Sequence, residues 1–172
     1  MTAGRRLAAL ATVLTAGSVA SCQPNQDTGG EAAARSAVRD YIASVDARSG
    51  GRLCREMAPG ALANLAVPKH QGSCAASLAA SIGYRDPRGY PIWRHTRLQR
   101  FRSVALEGTT ARATVRVKTT FADGREPSIE DDVIYLDGGD GRWLVAKPSA
   151  TLYRAIGAPS PPISAFRPPG GG

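Results

Sequence analysis

The sequence has few of the residues from which catalytic and metal sites are usually built. Among its 172 residues there are three cysteines and two histidines, His70 and His95. It contains no His-Glu-x-x-His pair, no Cys-x-x-Cys pair and no cluster of His with Asp. No metal site is therefore expected, and the two histidines are interpreted as surface residues. A Gly-x-Ser-x-Gly elbow and a Walker loop are missing as well, so no motif indicates an α/β-hydrolase or a P-loop enzyme, and no cofactor is predicted.

Apolar runs long enough to cross a bilayer are also missing. The longest apolar stretch, from Leu7 to about Val19, is shorter than the roughly 20 residues that a spanning helix needs. It follows Arg5 and Arg6 and ends in small residues, which is typical of a cleaved signal peptide. The sequence therefore predicts export, with residues 1–21 as the signal.

The end of the signal, Val19-Ala20-Ser21-Cys22, resembles the bacterial lipobox. The resemblance implies transfer of diacylglycerol to the sulfur of Cys22, cleavage before that residue and a lipid-anchored position on the outer face of the cell membrane. Ordinary cleavage after Ala20 is the alternative. Cysteine parity favours acylation, because it leaves Cys54 and Cys74 free to pair in an oxidising compartment.

The charge balance is basic. Because Arg5 and Arg6 leave with the signal, 20 of the 22 basic side chains remain against 14 acidic ones, a side-chain charge of +6. Outside the cell, nucleic acid is not an expected partner. Anionic lipid headgroups, anionic wall polymers or an envelope protein fit that location better.

The densest basic and aromatic stretch lies in the middle of the chain. Six arginines alternate there with three aromatic residues: Arg85, Arg88, Arg94, Arg97, Arg100 and Arg102 with Tyr84, Tyr90 and Trp93. Stacking and cationic attraction suit an anionic partner, so Arg85, Arg88, Arg94 and Arg97 are candidate contact residues. The alternative is a solvated loop with Trp93 packed in the core.

The first half of the mature chain has helical patterns. Residues 22–30 are predicted to form a flexible tether, followed by an amphipathic helix that begins at Glu31 and ends at Ser49-Gly50-Gly51. Two short helical pieces then surround Pro59-Gly60, and Ser73 is the expected N-cap of a helix that closes at Gly83. A disulfide between Cys54 and Cys74 would join two of these helices and contribute about 3 kcal/mol.

The second half alternates with a period of two. Strands are predicted at Leu98–Glu107 with a bulge, and at residues 111–121, 128–136 and 142–146. Residues 84–97 are interpreted as a loop with one short strand at 90–93, and Asp123-Gly124 as a hairpin turn. A short helix is expected at 151–156, and the Pro/Gly-rich tail, residues 158–172, is expected to be disordered.

Helices followed by an antiparallel meander predict an α+β domain over residues 31–157, with the N-terminal helices packed on a curved antiparallel sheet of about four strands. An amphipathic first helix, two helical cysteines and a final Gly-Arg-Trp-Leu-Val-Ala-Lys-Pro strand make the chain resemble the small NTF2-like lipoproteins of high-GC Gram-positive bacteria, whose fold is that of SnoaL and ketosteroid isomerase. The resemblance implies a cone-shaped fold with a cavity.

Two functions follow from this layout. The first is a non-enzymatic binding or interaction module of the cell envelope. The alternative is a small-molecule isomerase or hydrolase whose general base is Asp131 or Asp132, one of which must point inward because side chains alternate along a strand. We favour solvent exposure for both, because Asp is rarely buried unpaired. A third possibility, a structural protein that assembles through the open sheet face, requires an exposed apolar patch there.

Overall fold

The computed structural model describes residues 26–62, 73–83, 92–139 and 141–157. In chain order the elements are α1 (Gln26–Asp46), α2 (Gly50–Glu56), α3 (Cys74–Ser81), β1 (Trp93–Glu107), β2 (Thr110–Phe121), β3 (Ser128–Asp137), β4 (Leu144–Val145) and α4 (Ala150–Ala155). The strands form one antiparallel sheet of order β1-β2-β3-β4. The predicted signal, Cys22, His70, Arg85, Arg88 and the tail from residue 158 lie outside the described residues.

Helix α1 carries the apolar stripe that its spacing predicts. The stripe is buried against the sheet and consists of Ala34, Ala37, Val38, Tyr41, Ile42 and Val45. The helix begins at Gln26 and not at Glu31, so residues 26–30 of the predicted tether are helical. Packing explains the difference. A Cβ on Gly30 would lie 3.3 Å from Leu106 Cδ1, so the helix backbone at Gly30 lies against β1 despite the poor helix propensity of glycine.

The predicted end of α1 at Ser49-Gly50-Gly51 is wrong. The helix ends at Asp46, Arg48 adopts a left-handed φ of 54°, and the two glycines form the first turn of α2. Gly50 is buried where α2 crosses α3, and a Cβ there would lie 2.1 Å from the carbonyl oxygen of Ala75. This glycine therefore allows two helices to approach closely and does not mark a helix end.

The predicted disulfide between the short helices is present. Cys54 of α2 and Cys74 of α3 form a disulfide with their Cα atoms 6.1 Å apart. Ser73 caps α3 as expected, because its hydroxyl accepts a hydrogen bond from the backbone N–H of Ala76 at 3.2 Å. After α2 ends, Met57 forms a bridge to Val145 of β4. The disulfide thus ties α3 to a helix that is itself connected to the sheet.

Strand β1 is longer than predicted. The segment from Trp93 to Arg97 belongs to this strand and not to a loop. Trp93 is buried and its Nε1 donates to Thr96 Oγ1 at 2.8 Å, which fixes the start of the strand against the core. The pairing with β2 shifts register three times, between Trp93/His95, Leu98/Arg100 and Phe101/Ser103. The last two shifts confirm the predicted bulge.

The helices cover one face of the sheet, and strand β2 shows the two faces clearly. Ala111, Ala113, Val115, Val117 and Thr119 point into the core, whereas the intervening residues lie on the opposite face. We call that opposite side the outer face. The predicted α+β architecture, with helices packed on a four-stranded antiparallel sheet, is confirmed.

Candidate functional site

A cleft of about 410 Å³ opens on the outer face near the first residues of β1. Its lining is mostly basic and polar: Arg94, His95, Arg97, Gln99, Lys118, Thr120 and Phe121. These residues come from the start of β1 and the end of β2. We call this feature the basic cleft.

The register shifts of β1 provide the first wall of the basic cleft. Two consecutive residues, Arg94 and His95, are exposed between buried Trp93 and Thr96, where a regular strand would direct one of them inward. The second wall follows from simple alternation. Lys118 lies on the outer face because its neighbours Val117 and Thr119 are buried.

Two cations face each other across the cleft. Arg97 is paired with Lys118 in the sheet register, and like charges directly opposite each other destabilise a sheet. Within the residues that the structure describes, Arg94, Arg97 and Lys118 have no carboxylate at ion-pair distance. A bound anion would relieve this repulsion, which makes the cleft suitable for an anionic group.

His95 is held at the edge of the cleft by the end of α1. Its Nδ1 lies 3.1 Å from Asp46 Oδ1, and the same oxygen accepts the backbone N–H of Thr96 at 2.9 Å. The carboxylate of Asp46 therefore points toward the backbone of β1. The prediction of His95 as a plain surface residue misses this contact.

The carboxylate of Asp131 neutralises a different part of the outer face. Arg116 Nε donates to Asp131 Oδ1 at 2.9 Å, and Arg102 Nε approaches the same oxygen at 3.4 Å. The Arg116 guanidinium, followed by that of Arg102, holds the pKa of Asp131 below its usual range. Asp131 is exposed, as favoured from the sequence, whereas its pairing with Arg116 and Arg102 was not predicted. It is ionised at neutral pH.

Asp132 is buried, so the expected solvent exposure of both aspartates is wrong for this residue. Its carboxylate accepts the Thr151 backbone N–H at 2.9 Å and the Thr151 hydroxyl at 2.6 Å. The N–H groups of Ala150 and Val133 also donate to it, at 3.2 and 2.8 Å. These donors explain how a carboxylate is tolerated in the core. They also occupy the oxygens that a general base would need.

The space between α1 and the sheet is filled with side chains. Val38, Tyr41, Ile134, Leu136 and Leu152 are all fully or almost fully buried there. The hydroxyl of Tyr41 bonds to the hydroxyl of Ser149 at 3.1 Å, and burial raises the pKa of Tyr41 above its usual range. The isomerase or hydrolase alternative requires Asp131 or Asp132 inside an apolar pocket with a Tyr or His nearby. Asp132 is buried near Tyr41, but its carboxylate accepts hydrogen bonds from described residues and does not line an open pocket among them.

Other sites receive no support in the part of the chain that the structure describes. No group of three or more His, Cys, Asp and Glu side chains is placed to hold a metal ion there. No described helix combines the length and apolar character needed to cross a bilayer. Ile129, with 56% exposure, is the single large hydrophobic residue exposed among these residues. The apolar patch required for assembly through the sheet face is therefore not present in them.

The structure divides the predicted basic patch. Arg94 and Arg97 lie in the cleft, whereas Arg85 and Arg88 are outside the described residues. Trp93 is buried, as the alternative interpretation of this stretch expects. Lys118 was missed as a site residue. Its outward position follows from alternation, but its place opposite Arg97 depends on the register between two strands, which the sequence does not state.

Comparisons with known proteins give only a likeness of fold. No protein-family model matches the chain, and no curated protein matches it in sequence. Among solved structures, one similar chain is a protein from Novosphingobium aromaticivorans whose assignment as an aromatic ring hydroxylase is provisional. The identity is 16% and the TM-score 0.43, over 72% of this chain and 93% of that one.

Two further solved structures have a comparable likeness. An NTF2-like protein of unknown function from Burkholderia pseudomallei shows 13% identity and a TM-score of 0.41, over 72% of this chain and 97% of that one. TsrD from Streptomyces laurentii shows 18% identity and a TM-score of 0.41, over 74% and 97% of the two chains. These likenesses concern the fold alone.

Proposed function

We propose that the protein is an exported, lipid-anchored binding module of the cell envelope that holds an anionic partner in the basic cleft. The observation that carries this proposal is the juxtaposition of Arg94, Arg97 and Lys118 without a neutralising carboxylate among the described residues. The fold maintains this repulsion at a cost in stability. A ligand that brings negative charge would recover that cost on binding.

The lining of the cleft indicates the kind of group that fits. Arginine presents a planar fork of donors to phosphate or carboxylate oxygens, and lysine adds a compact charge. Gln99 and Thr120 supply neutral polar groups, and Phe121 supplies an apolar side. A volume of about 410 Å³ lies within the range of small-ligand sites. These features favour recognition of a charged group over catalysis.

The lipid anchor is the second part of the proposal and rests on the sequence. Acylation of Cys22 would supply two chains, which is what stable membrane attachment requires. Replacing Cys22 with Ala should move the protein from the membrane fraction to the soluble fraction. Continued firm attachment of the Cys22→Ala protein would contradict the anchor without affecting the cleft.

The cleft itself is tested with tripolyphosphate, a compact multivalent anion, by titration calorimetry on the full chain carrying Cys22→Ala. We expect measurable binding that Lys118→Gln weakens roughly tenfold, because one charge-assisted contact is lost. Arg52→Gln is the matched control, since Arg52 is an exposed cation of α2 outside the cleft. No binding, or equal weakening by both substitutions, would refute the cleft as an anion site.

A further inference from the structure

The positive charge of the outer face extends beyond the basic cleft. On the outer face, the next cross-strand pair after Arg97 and Lys118 is Arg100 with Arg116, and Arg112 lies on the same face farther along β2. Arg116 is paired with Asp131, but Arg100 and Arg112 have no carboxylate at ion-pair distance among the described residues. The unneutralised cations thus follow the β1–β2 pair.

The length of this row is set by the strand. Arg112 and Lys118 are six residues apart on β2, and a strand rises about 3.4 Å per residue, so their Cα atoms are separated by about 20 Å. A small anion that fills the basic cleft does not reach Arg112. A ligand that contacts both ends must be extended and must carry charge at intervals.

We propose that the outer face binds a linear phosphate polyanion that enters the basic cleft and runs along β1 and β2 to Arg112. This inference rests on the proposed function, because the cleft is one end of the track. We call the full row the cation track; it consists of Arg94, Arg97, Lys118, Arg100 and Arg112.

The shape of the face favours a thin chain over a flat membrane surface. Lys118 is half-buried in the cleft beneath more exposed neighbours, so a planar layer of headgroups would touch those neighbours first. Acidic side chains also surround the track. Exposed Glu107 and Asp137 lie at the end near the β1–β2 hairpin, and Asp131 lies beside it on β3. An anionic plane that covered the whole face would meet all three carboxylates. A chain that lies along β1 and β2 and ends at Arg112 passes only the carboxylate of Asp131, whose charge is already neutralised by Arg116 and Arg102.

The bulges of β1 contribute to the track directly. Gln99 and Arg100 are both exposed between partly buried Leu98 and Phe101, because the register shifts there. A regular strand would direct one of the two toward the core. The irregular pairing therefore increases the number of polar and charged groups that an extended ligand meets on this strand.

The test compares phosphate chains of increasing length on the full chain carrying Cys22→Ala. Long-chain polyphosphate should bind tighter than tripolyphosphate by on the order of tenfold or more, because additional contacts form within one complex. Its affinity should also fall more steeply with salt. A longer chain can also bind tighter simply because more of its phosphates can occupy the same small site. Arg112→Gln is therefore the decisive variant. It should weaken long-chain binding severalfold and leave tripolyphosphate binding unchanged.

The outcomes separate the two proposals. If tripolyphosphate binds through Lys118 but Arg112→Gln has no effect on the long chain, the track is refuted and the cleft remains. If tripolyphosphate does not bind, the cleft and the track fail together. Vesicles of phosphatidylcholine with phosphatidylglycerol provide the last arm. Vesicle binding that depends on Arg112, with no length dependence for polyphosphate, would overturn the linear ligand in favour of a membrane surface.

Discussion

The carboxylate of Asp132 on β3 accepts two hydrogen bonds from Thr151 of α4, one from its backbone N–H at 2.9 Å and one from its hydroxyl at 2.6 Å. The residue at the N-cap of α4, Ser149, makes no capping bond with its side chain, and its hydroxyl contacts Tyr41 instead. Asp132 therefore caps this helix from a different element. Its negative charge also lies at the positive end of the helix, which is favourable.

Asp132→Asn should destabilise the domain by about 2 kcal/mol, because the amide nitrogen faces backbone donors that then lose an acceptor. Urea unfolding monitored by circular dichroism measures the change. Asp131→Asn is the matched control, one residue away and exposed, and should change stability much less than Asp132→Asn, because its ion pairs with Arg116 and Arg102 are screened by solvent. Equal effects of the two substitutions would contradict the capping role.

Tyr41 links stability to alkaline pH. Burial raises the pKa of Tyr41 above its usual range, and in the unfolded chain tyrosine titrates near pH 10. Because the pKa of Tyr41 is higher in the folded protein than in the unfolded chain, the contribution of the neutral phenol to the free energy of unfolding is complete below about pH 10. It is lost as the pH rises, by up to about 1.4 kcal/mol per pH unit.

Tyr41→Phe removes this dependence. At neutral pH the variant should be less stable by about 1 kcal/mol, because the hydrogen bond to Ser149 is lost. Above about pH 10 the difference in stability should shrink. Only the parent protein loses unfolding free energy there, because its Tyr41 ionises in the unfolded chain before it ionises in the fold. Urea unfolding from pH 8 to about pH 11 checks this. Parallel stability curves for the two proteins over that range would show that Tyr41 does not control alkaline unfolding.

The Cys54–Cys74 disulfide closes a loop with a sequence separation of 20. The loop-entropy relation then gives a contribution of about 3 kcal/mol. The Cys54→Ser, Cys74→Ser protein should lose this amount in urea unfolding. Its stability should not respond to reductant, whereas the parent protein should fall to a similar value when reduced. Two alkylatable thiols at these positions in the unreduced parent protein would refute the bridge.

Elements with a strong local period could be predicted from the sequence. The apolar stripe of α1 and the alternate, inward-facing side chains of β2 are buried as their spacing indicates. Each pattern depends only on residues of the same element. The N-cap at Ser73 is likewise a local feature and is confirmed. The pairing of Cys54 with Cys74 followed from the parity of cysteines in an exported chain and needed no knowledge of the fold.

Features that depend on contacts between elements could not be predicted in this way. Asp132 was expected to be exposed because Asp is rarely buried unpaired, and its donors in α4, Ala150 and Thr151, are 18 and 19 residues away in the sequence. The cleft combines Arg97 and Lys118 only through a register that shifts three times along β1. The role of Gly50 follows from its close approach to α3, more than 20 residues later in the chain. Interpreting the two glycines as a helix end uses only local sequence and misses this contact.

The last prediction uses the adjacent glycines of α2. A Cβ on Gly50 would meet the Ala75 carbonyl oxygen at 2.1 Å and the Ala79 backbone nitrogen at 2.7 Å, so Gly50→Ala must separate α2 from α3. Neither contact is with a flexible side chain. We expect a loss of about 3 kcal/mol or more, comparable with other severe packing defects.

Gly51→Ala is the matched control in the same helix. A Cβ there has no neighbour closer than 3.9 Å, and alanine is the better helix former, so this variant should gain about 0.5–1 kcal/mol. Thermal and urea unfolding of both single variants measure the two signs, with the disulfide kept oxidised so that α2 and α3 remain linked. If Gly50→Ala is tolerated as well as Gly51→Ala, the two helices do not pack in the close arrangement seen here. The tight contact would then be replaced by a looser one that depends on the disulfide alone.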